Sequence, residues 1–243
     1  MINLVARIYK RIIRDIKRII NLRFKGVNLF ILGSYGLEIF KDVDTLSSKV
    51  KDFSCLAPHI PQARALYDSY SDSLSGQVAP AKFDSAEELA VFLYSFIVEF
   101  KPRVVIETGV ANGISTNMIM RALEQYNGVL HSFDINPKCE SVYNGSGNWH
   151  FHLLLKNYAR NLELITRDLK NVDLWIHDSD HSYSWQKLEY SIASKLLTPN
   201  SGTLVSDDID TTTAFGRFSQ EKVEKARAIF DTRKFFAFIK LSS

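Results

Sequence analysis

The chain has 243 residues, 46% of them hydrophobic, with 30 Lys or Arg against 27 Asp or Glu for a formal net charge of +3, which fits one α/β core plus an N-terminal extension. Its two cysteines, Cys55 and Cys139, exclude a disulfide framework or a paired-cysteine zinc motif and suit a reducing cytosol. No uncharged apolar run of about 18 residues exists to span a bilayer, and the start lacks the apolar h-region of a secretory signal.

Charge is uneven along the chain. Residues 1–25 hold eight Lys or Arg and one acid, a net of +7, leaving about −4 for the remainder. Leu4, Val5, Ile8, Ile12, Ile16, Ile19 and Ile20 recur at helical spacing with the cations mostly opposite, predicting a basic amphipathic helix. Such a helix binds an anionic membrane surface or a partner, or packs on the domain or on a second copy in a homo-oligomer. No aromatic interleaving accompanies the charge, so nucleic acid is not expected.

Residues 26–84 read as a helical or lid extension. Short helices are predicted over Ser47–Phe53 and Pro61–Tyr70, around the break at Pro58 and Pro61. Ser71–Pro80, rich in Ser, Gly and Pro, reads as a linker or lid loop. Ser85-Ala86-Glu87-Glu88 is a capping-box pattern opening a helix to about Phe100, and Pro102 precedes the first core strand.

The core begins with Val104-Val105-Ile106, a β-branched run suited to a strand buried on both faces of a parallel sheet. Glu107-Thr108-Gly109 ends it, Gly113 follows, and Ser115-Thr116 open a helix to about Tyr126. A second strand, Val129 to Phe133, carries Asp134 at its C-terminal tip, where an acid can take two ribose hydroxyls. The pattern is E-x-G-x-x-x-G-x-S, not the G-x-G-x-x-G of a pyrophosphate site. A carboxylate before the first glycine repels a pyrophosphate and suits a cationic amino group. The segment is therefore read as a nucleoside-cofactor site.

Further on, Leu174 to His177 is an apolar strand leading into Asp178-Ser179-Asp180-His181. Thr203 to Ser206 is another strand, leading into Asp207-Asp208, with a helix predicted over Trp185–Leu197 between them. The two strands are then parallel neighbours, and their tips gather Asp178, Asp207 and Asp208. Three clustered carboxylates raise each other's pKa unless a cation compensates them, and Mg²⁺ prefers such oxygen ligands. The plainer alternative makes these acids helix caps or turn formers. His181 divides evenly between the site and the loop, His177 is structural, and Tyr183, Trp185 and Tyr190 are packing aromatics, with Tyr183 also able to line the pocket. Beyond Asp210, Thr211–Gly216 reads as a polar loop beside the proposed metal, Glu221–Phe230 as a helix, and Phe235–Leu241 as an antiparallel edge strand.

The glycine loop resembles that of class I S-adenosylmethionine (SAM) methyltransferases, especially the metal-dependent catechol and caffeoyl-CoA type. The D-x-D-H-x-Y and D-D patterns resemble metal-dependent sugar and macrolide O-methyltransferases and their cephalosporin hydroxylase-like relatives (methyltransferase family 24), over roughly residues 85 to 240. The resemblance implies a Rossmann-like fold, with a mostly parallel sheet, over residues 85–243. It implies a cofactor set of Glu107, Gly109, Gly113, Ser115, Asp134 and Asp178. Gly109 would let the methionine moiety approach, Ser115 bind its carboxylate and Asp134 take the ribose. The metal ligands would be Asp178, Asp207 and Asp208, and the catalytic pair Asp180 and His181, with Asp180 as base. After the third strand, Trp149 to Leu155, an acidic or small-residue adenine signature is expected, but Lys156-Asn157-Tyr158 stands there.

The expected activity is methyl transfer from SAM to an acceptor hydroxyl, with Mg²⁺ or Mn²⁺ and a small-molecule or glycan acceptor. The protein would be cytoplasmic, with the basic arm at the inner membrane face. The alternatives are a metal-independent SAM methyltransferase and a non-catalytic membrane-associated scaffold.

Overall fold

The apolar runs assemble into one eight-stranded sheet in the computed structural model, which describes residues 32–241 together with Ile12, Ile13, Ile16 and Ile20. The strands are β1 (Glu38–Phe40), β2 (Val104–Thr108), β3 (Val129–Asp134), β4 (Asn148–Leu153), β5 (Leu174–His177), β6 (Thr203–Ser206), β7 (Arg227–Asp231) and β8 (Lys234–Lys240). Their order is β1-β7-β8-β6-β5-β2-β3-β4. Only β8 runs antiparallel to its neighbours, β6 and β7. The fold is the expected Rossmann-like α/β class, with helices on both faces.

One face is covered by α1 (Val43–Lys49), α2 (Ile60–Leu74), α3 (Glu87–Phe100) and α4 (Ile114–Leu123), which share a buried cluster with Val105, Leu130, Ile176 and Val205. The other is covered by α5 (Tyr158–Thr166), α6 (Tyr183–Leu196) and α7 (Ala214–Gln220), packed on Ile106, Phe133, Trp175 and Leu204. Alternate residues of each strand thus feed opposite cores, which is why these strands read as unbroken apolar runs. The sheet reverses direction between β2 and β5. From β2 the chain winds through β3 and β4, and from β5 it winds the other way through β6. Ligands of open α/β sheets bind in the crevice above such a point.

Several local expectations are corrected. The helix expected over 221–230 is instead α7, starting at Ala214 within the stretch read as a polar loop, followed by strand β7. Ala228, Ile229 and Phe230 are buried between β1 and β8, and a short apolar run buried on both faces carries no periodicity to separate strand from helix. The last strand is not an edge: β8 inserts between β6 and β7, and the edges are β1 and β4. The helix expected at 47–53 starts earlier as α1, capped by Asp42, and continues into a 3₁₀ turn at Lys51–Leu56. The capping box does not form. The N–H groups of Glu88 and Leu89 donate to the Asp231 carboxylate, 2.5 and 3.1 Å away, while the Glu88 carboxylate accepts from Arg64 and from the Val43 N–H. A distant acid has taken the place of the local cap.

The described part of the 26–84 segment, residues 32–84, is joined to the core. It supplies β1 to the sheet and places Leu46, Leu56 and Ile60 in the α3 cluster. Ser71–Leu74 extends α2, and the rest of the expected lid is tied to the glycine loop. The Val78 and Ala79 N–H groups donate to Asn112 Oδ1 at 2.7 and 2.8 Å, and Asn112 Nδ2 donates back to the Ala79 carbonyl. The predicted amphipathic helix of residues 1–25 falls, apart from four isoleucines, outside the described residues. Among them Ile12, Ile16 and Ile20, helical and four apart, are each about half exposed.

Candidate active site

Above the reversal point lies a cavity of about 770 Å³. Strand ends β2, β3 and β5 and the loop after β6 supply its polar wall: Gly109, Asp134, Asp178, Asp180, His181 and Asp208 all line it. Ala79, Lys82 and Phe83 close one side, and Arg233 and Lys234 of the β7–β8 turn another.

At one end, Asp134 accepts from the N–H groups of Val110, Ala111 and Asn136 at 2.8, 3.3 and 2.8 Å, so this acid also organises the glycine loop. The signature missing after β4 is replaced by an apolar patch. Ile135, directly after Asp134, and Leu154 and Tyr158 line the same end, where a flat heterocycle could lie. The alternation of apolar residues around the two strand tips was the available signal.

Gly109 adopts φ +86°, and a Cβ there would stand 1.9 Å from the Asp178 carbonyl oxygen. Besides opening the cavity, this glycine lets the β2 and β5 loops close on each other. Gly113, at φ +77°, starts α4 with a Cβ position blocked by Val142. Glu107 and Ser115 lie below the cavity. The fully buried Glu107 carboxylate accepts from the hydroxyls of Ser115, Thr116 and Ser132 at 2.6 to 2.8 Å. Burial pushes its pKa up to about 7 against the pull of those donors. The Ser115 hydroxyl is thus spent on Glu107, and the two form a brace beneath the loop.

At the other end, ligand atoms of Asp178, His181 and Asp207 lie within 4.8 Å of one another. Asp208 differs from the expected arrangement. It takes a left-handed backbone (φ 48°), and its Oδ2 lies 3.2 Å from His181 Nδ1 and 3.5 Å from Lys234 Nζ. His181 Nε2 sits 3.7 Å from Asp178 Oδ1. Burial pulls the His181 pKa down, but Asp178, Asp208 and Asp207 together raise it, favouring the cation. Burial, opposed by Lys234 and helped by Asp178, pushes Asp207 up to about 6.

Lys234 was not foreseen. It is buried and pairs with both Asp207 and Asp208, and these acids hold its pKa above the ordinary value despite burial. Its signal was a lysine heading the apolar run Phe235 to Ile239. A second unforeseen residue is Glu189 of α6, which accepts from Thr108 Oγ1 (2.6 Å), Ser179 Oγ (2.7 Å) and Trp175 Nε1 (3.3 Å) and faces His177 Nδ1 at 3.0 Å. Trp185 Nε1 extends the network by donating to Ser179 Oγ at 2.8 Å. A lone acid in the buried register of α6, beside Gln186, Tyr190 and Ala193, was its mark. Asp180, by contrast, is exposed and accepts from the Ser182 N–H and hydroxyl at 2.9 and 3.2 Å, the role of a turn former at the start of α6.

Residues 106–209 match the family model described as a methyltransferase domain. No curated protein matches the chain. Among solved structures, an O-methyltransferase from Bacillus cereus, in complex with SAH, superposes with a TM-score of 0.54 at 16% identity, covering 74% of this chain and 99% of its own. TomG of Streptomyces achromogenes, an O-methyltransferase in complex with SAM, gives 0.53 at 13%, covering 76% and 90%. MycE of the mycinamycin pathway, in complex with Mg, SAH and mycinamycin VI, gives 0.55 at 15%, covering 75% of this chain and 55% of its own. Residues 106–209 thus resemble a methyltransferase domain, and the chain has the fold that these O-methyltransferase structures share.

Proposed function

We propose that this protein transfers a methyl group from SAM to a hydroxyl of a small acceptor, a sugar or glycan, with a divalent cation at the acid cluster. The observation that carries the reading is one continuous cavity. It joins the Gly109 and Asp134 end, where a nucleoside fits, to the cluster of Asp178, His181 and Asp208. The SAH, SAM and Mg named with the neighbouring structures support it.

The residues present fit a metal. Asp207 Oδ1 is a buried carboxylate oxygen with no hydrogen-bond donor, and three acids share the site with one lysine. Asp178 and Asp207 would hold Mg²⁺ or Mn²⁺, with Asp208 beside them facing His181 and Lys234. Such an ion supplies Lewis-acid polarisation of the acceptor oxygen. Asp180 is the proposed base: its solvent-open carboxylate takes the hydroxyl proton as the oxygen takes the methyl group. His181, flanked by Asp178 and Asp208, orients the acids and the acceptor. Turnover in Asp180→Asn is expected to fall about 10²-fold or more, with a smaller loss in His181→Gln. Near-normal Asp180→Asn beside a dead His181→Gln, with SAM and metal still bound in both, reverses the roles.

Lys234 favours a second reading. Its ammonium already compensates two of the acids, so a metal-independent transferase would use it as the fixed cation. Calorimetry with SAM, with and without Mg²⁺, separates the two. For the cofactor, Asp134→Ala is expected to weaken SAM by about 2–3 kcal/mol, since charge-assisted hydrogen bonds contribute about 1.5–3 each. Unchanged affinity removes Asp134 from the site.

Residues 1–25 are proposed to hold this enzyme, a cytoplasmic one, at the inner face of a membrane; partner binding or packing in a homo-oligomer is the alternative. The exposed Ile12, Ile16 and Ile20 and the net charge of +7 support this, and among the described residues no helix is long and apolar enough to cross a membrane. At about 1 kcal/mol per basic residue near an anionic surface, the full chain is expected to co-sediment with phosphatidylserine vesicles in low salt, and a chain lacking 1–25 to stay in solution with SAM binding intact. No sedimentation of the full chain points to packing instead.

A further inference from the structure

We propose that the acceptor carries an anionic group, a phosphate or a carboxylate, held by Lys82 and Arg233 at the cavity mouth beside the exposed ring of Phe83. The inference rests on reading the cavity as the methyl-transfer site and adds the charge of the substrate.

Three lysine or arginine side chains line the cavity, and they are not equivalent. Lys234 is buried and already paired with Asp207 and Asp208. Lys82 and Arg233 are exposed, and among the described residues neither pairs with a carboxylate. They come from distant parts of the chain, the 3₁₀ turn Ala81–Phe83 and the β7–β8 turn. Arg233 Nη2 donates to the Lys82 carbonyl at 3.1 Å, which fixes both cations on one rim. The acids that line the cavity are, in contrast, engaged. Asp134 holds three backbone N–H groups, Asp180 holds Ser182, Asp208 faces His181 and Lys234, Glu189 accepts three side chains, and Asp178 belongs to the acid cluster.

Each cavity acid thus already has partners within the protein, whereas the two cations without a carboxylate partner stand together at the mouth. An arginine fork matches the paired oxygens of phosphate or carboxylate, and a lysine adds a point charge. Phe83, 56% exposed with Lys82 Nζ 4.8 Å from its ring centroid, offers an apolar face beside Lys82 for the body of the acceptor. The anionic group would thus sit at the rim, away from the hydroxyl that meets the acid cluster.

The test uses the full chain with SAH and MgCl₂, titrated with D-glucose 6-phosphate, D-glucuronate and D-glucose by ligand-observed NMR. Both anions are expected to bind at least about tenfold more tightly than glucose, and their ratio tells phosphate from carboxylate. Lys82→Gln with Arg233→Gln is expected to abolish the preference while SAH affinity and melting temperature stay unchanged. Equal binding of the three sugars, no binding of either anion, or a preference that survives the double variant overturns the proposal. Failure of SAH to bind the unaltered protein would instead count against the methyl-transfer reading, and the sugar titration repeated without SAH still decides the anion site.

Discussion

Chelation with EDTA is expected to lower turnover by about two to three orders of magnitude, and Mg²⁺ or Mn²⁺ to restore it. Lewis-acid polarisation contributes several kcal/mol at the transition state, and each 1.36 kcal/mol is about tenfold in rate. Asp178→Asn and Asp207→Asn are expected to lose activity similarly, with Asp208→Asn milder because its carboxylate faces His181 and Lys234 and not the open oxygen of Asp207. The measurement is turnover with metal-free and metal-loaded enzyme, beside calorimetric Mg²⁺ binding. Full activity in a chelated preparation, together with a dead Lys234→Met, would hand the role of cation to Lys234 and leave the fold and cofactor reading untouched.

Replacing Glu189 with alanine is expected to cost about 3–5 kcal/mol of stability, the range for breaking a buried charged network by removing one partner. The donors of Thr108, Trp175 and Ser179 would be stranded in a dry interior, and His177 would lose the carboxylate beside it. For a chain of this size that is a fall in melting temperature of about 10 °C. Burial alone would raise the Glu189 pKa, but His177 and the donors lower it below its usual 4.5. A depressed carboxyl contributes stability that is complete above its unfolded value and is lost as pH falls below about 4.5. The variant is therefore expected to show a flatter stability profile in acid. Thermal unfolding at neutral and acid pH checks both, and a loss under 1 kcal/mol at neutral pH would show that the network does not brace the Asp178 loop.

Elements with strong local signals were legible. The β2-turn-α4-β3 unit, with Asp134 at its tip, and the two strands before Asp178 and Asp207 stand within about three residues of where apolar runs and glycines put them. The 221–230 segment was not, because Ala228 to Phe230 pack between two strands whose presence a local reading cannot supply. The Ser85 capping box was a local signal overruled by a distant acid, Asp231.

By itself the sequence determined the α/β class, the glycine turn and the strand tips that carry Asp134, Asp178, Asp207 and Asp208. Those properties follow from periodicity and from the way a parallel sheet aligns its strand ends. Only the tertiary structure decided what compensates the acids, what the glycines approach and which side chains remain free for a ligand. Lys234 reaches Asp207 across the sheet from β8, Gly109 meets the Asp178 carbonyl, and Arg233 stands on the rim beside Lys82. The reason is physical: the charge state and exposure of a side chain depend on neighbours brought near by folding, and those partners lie up to 151 residues apart in the chain.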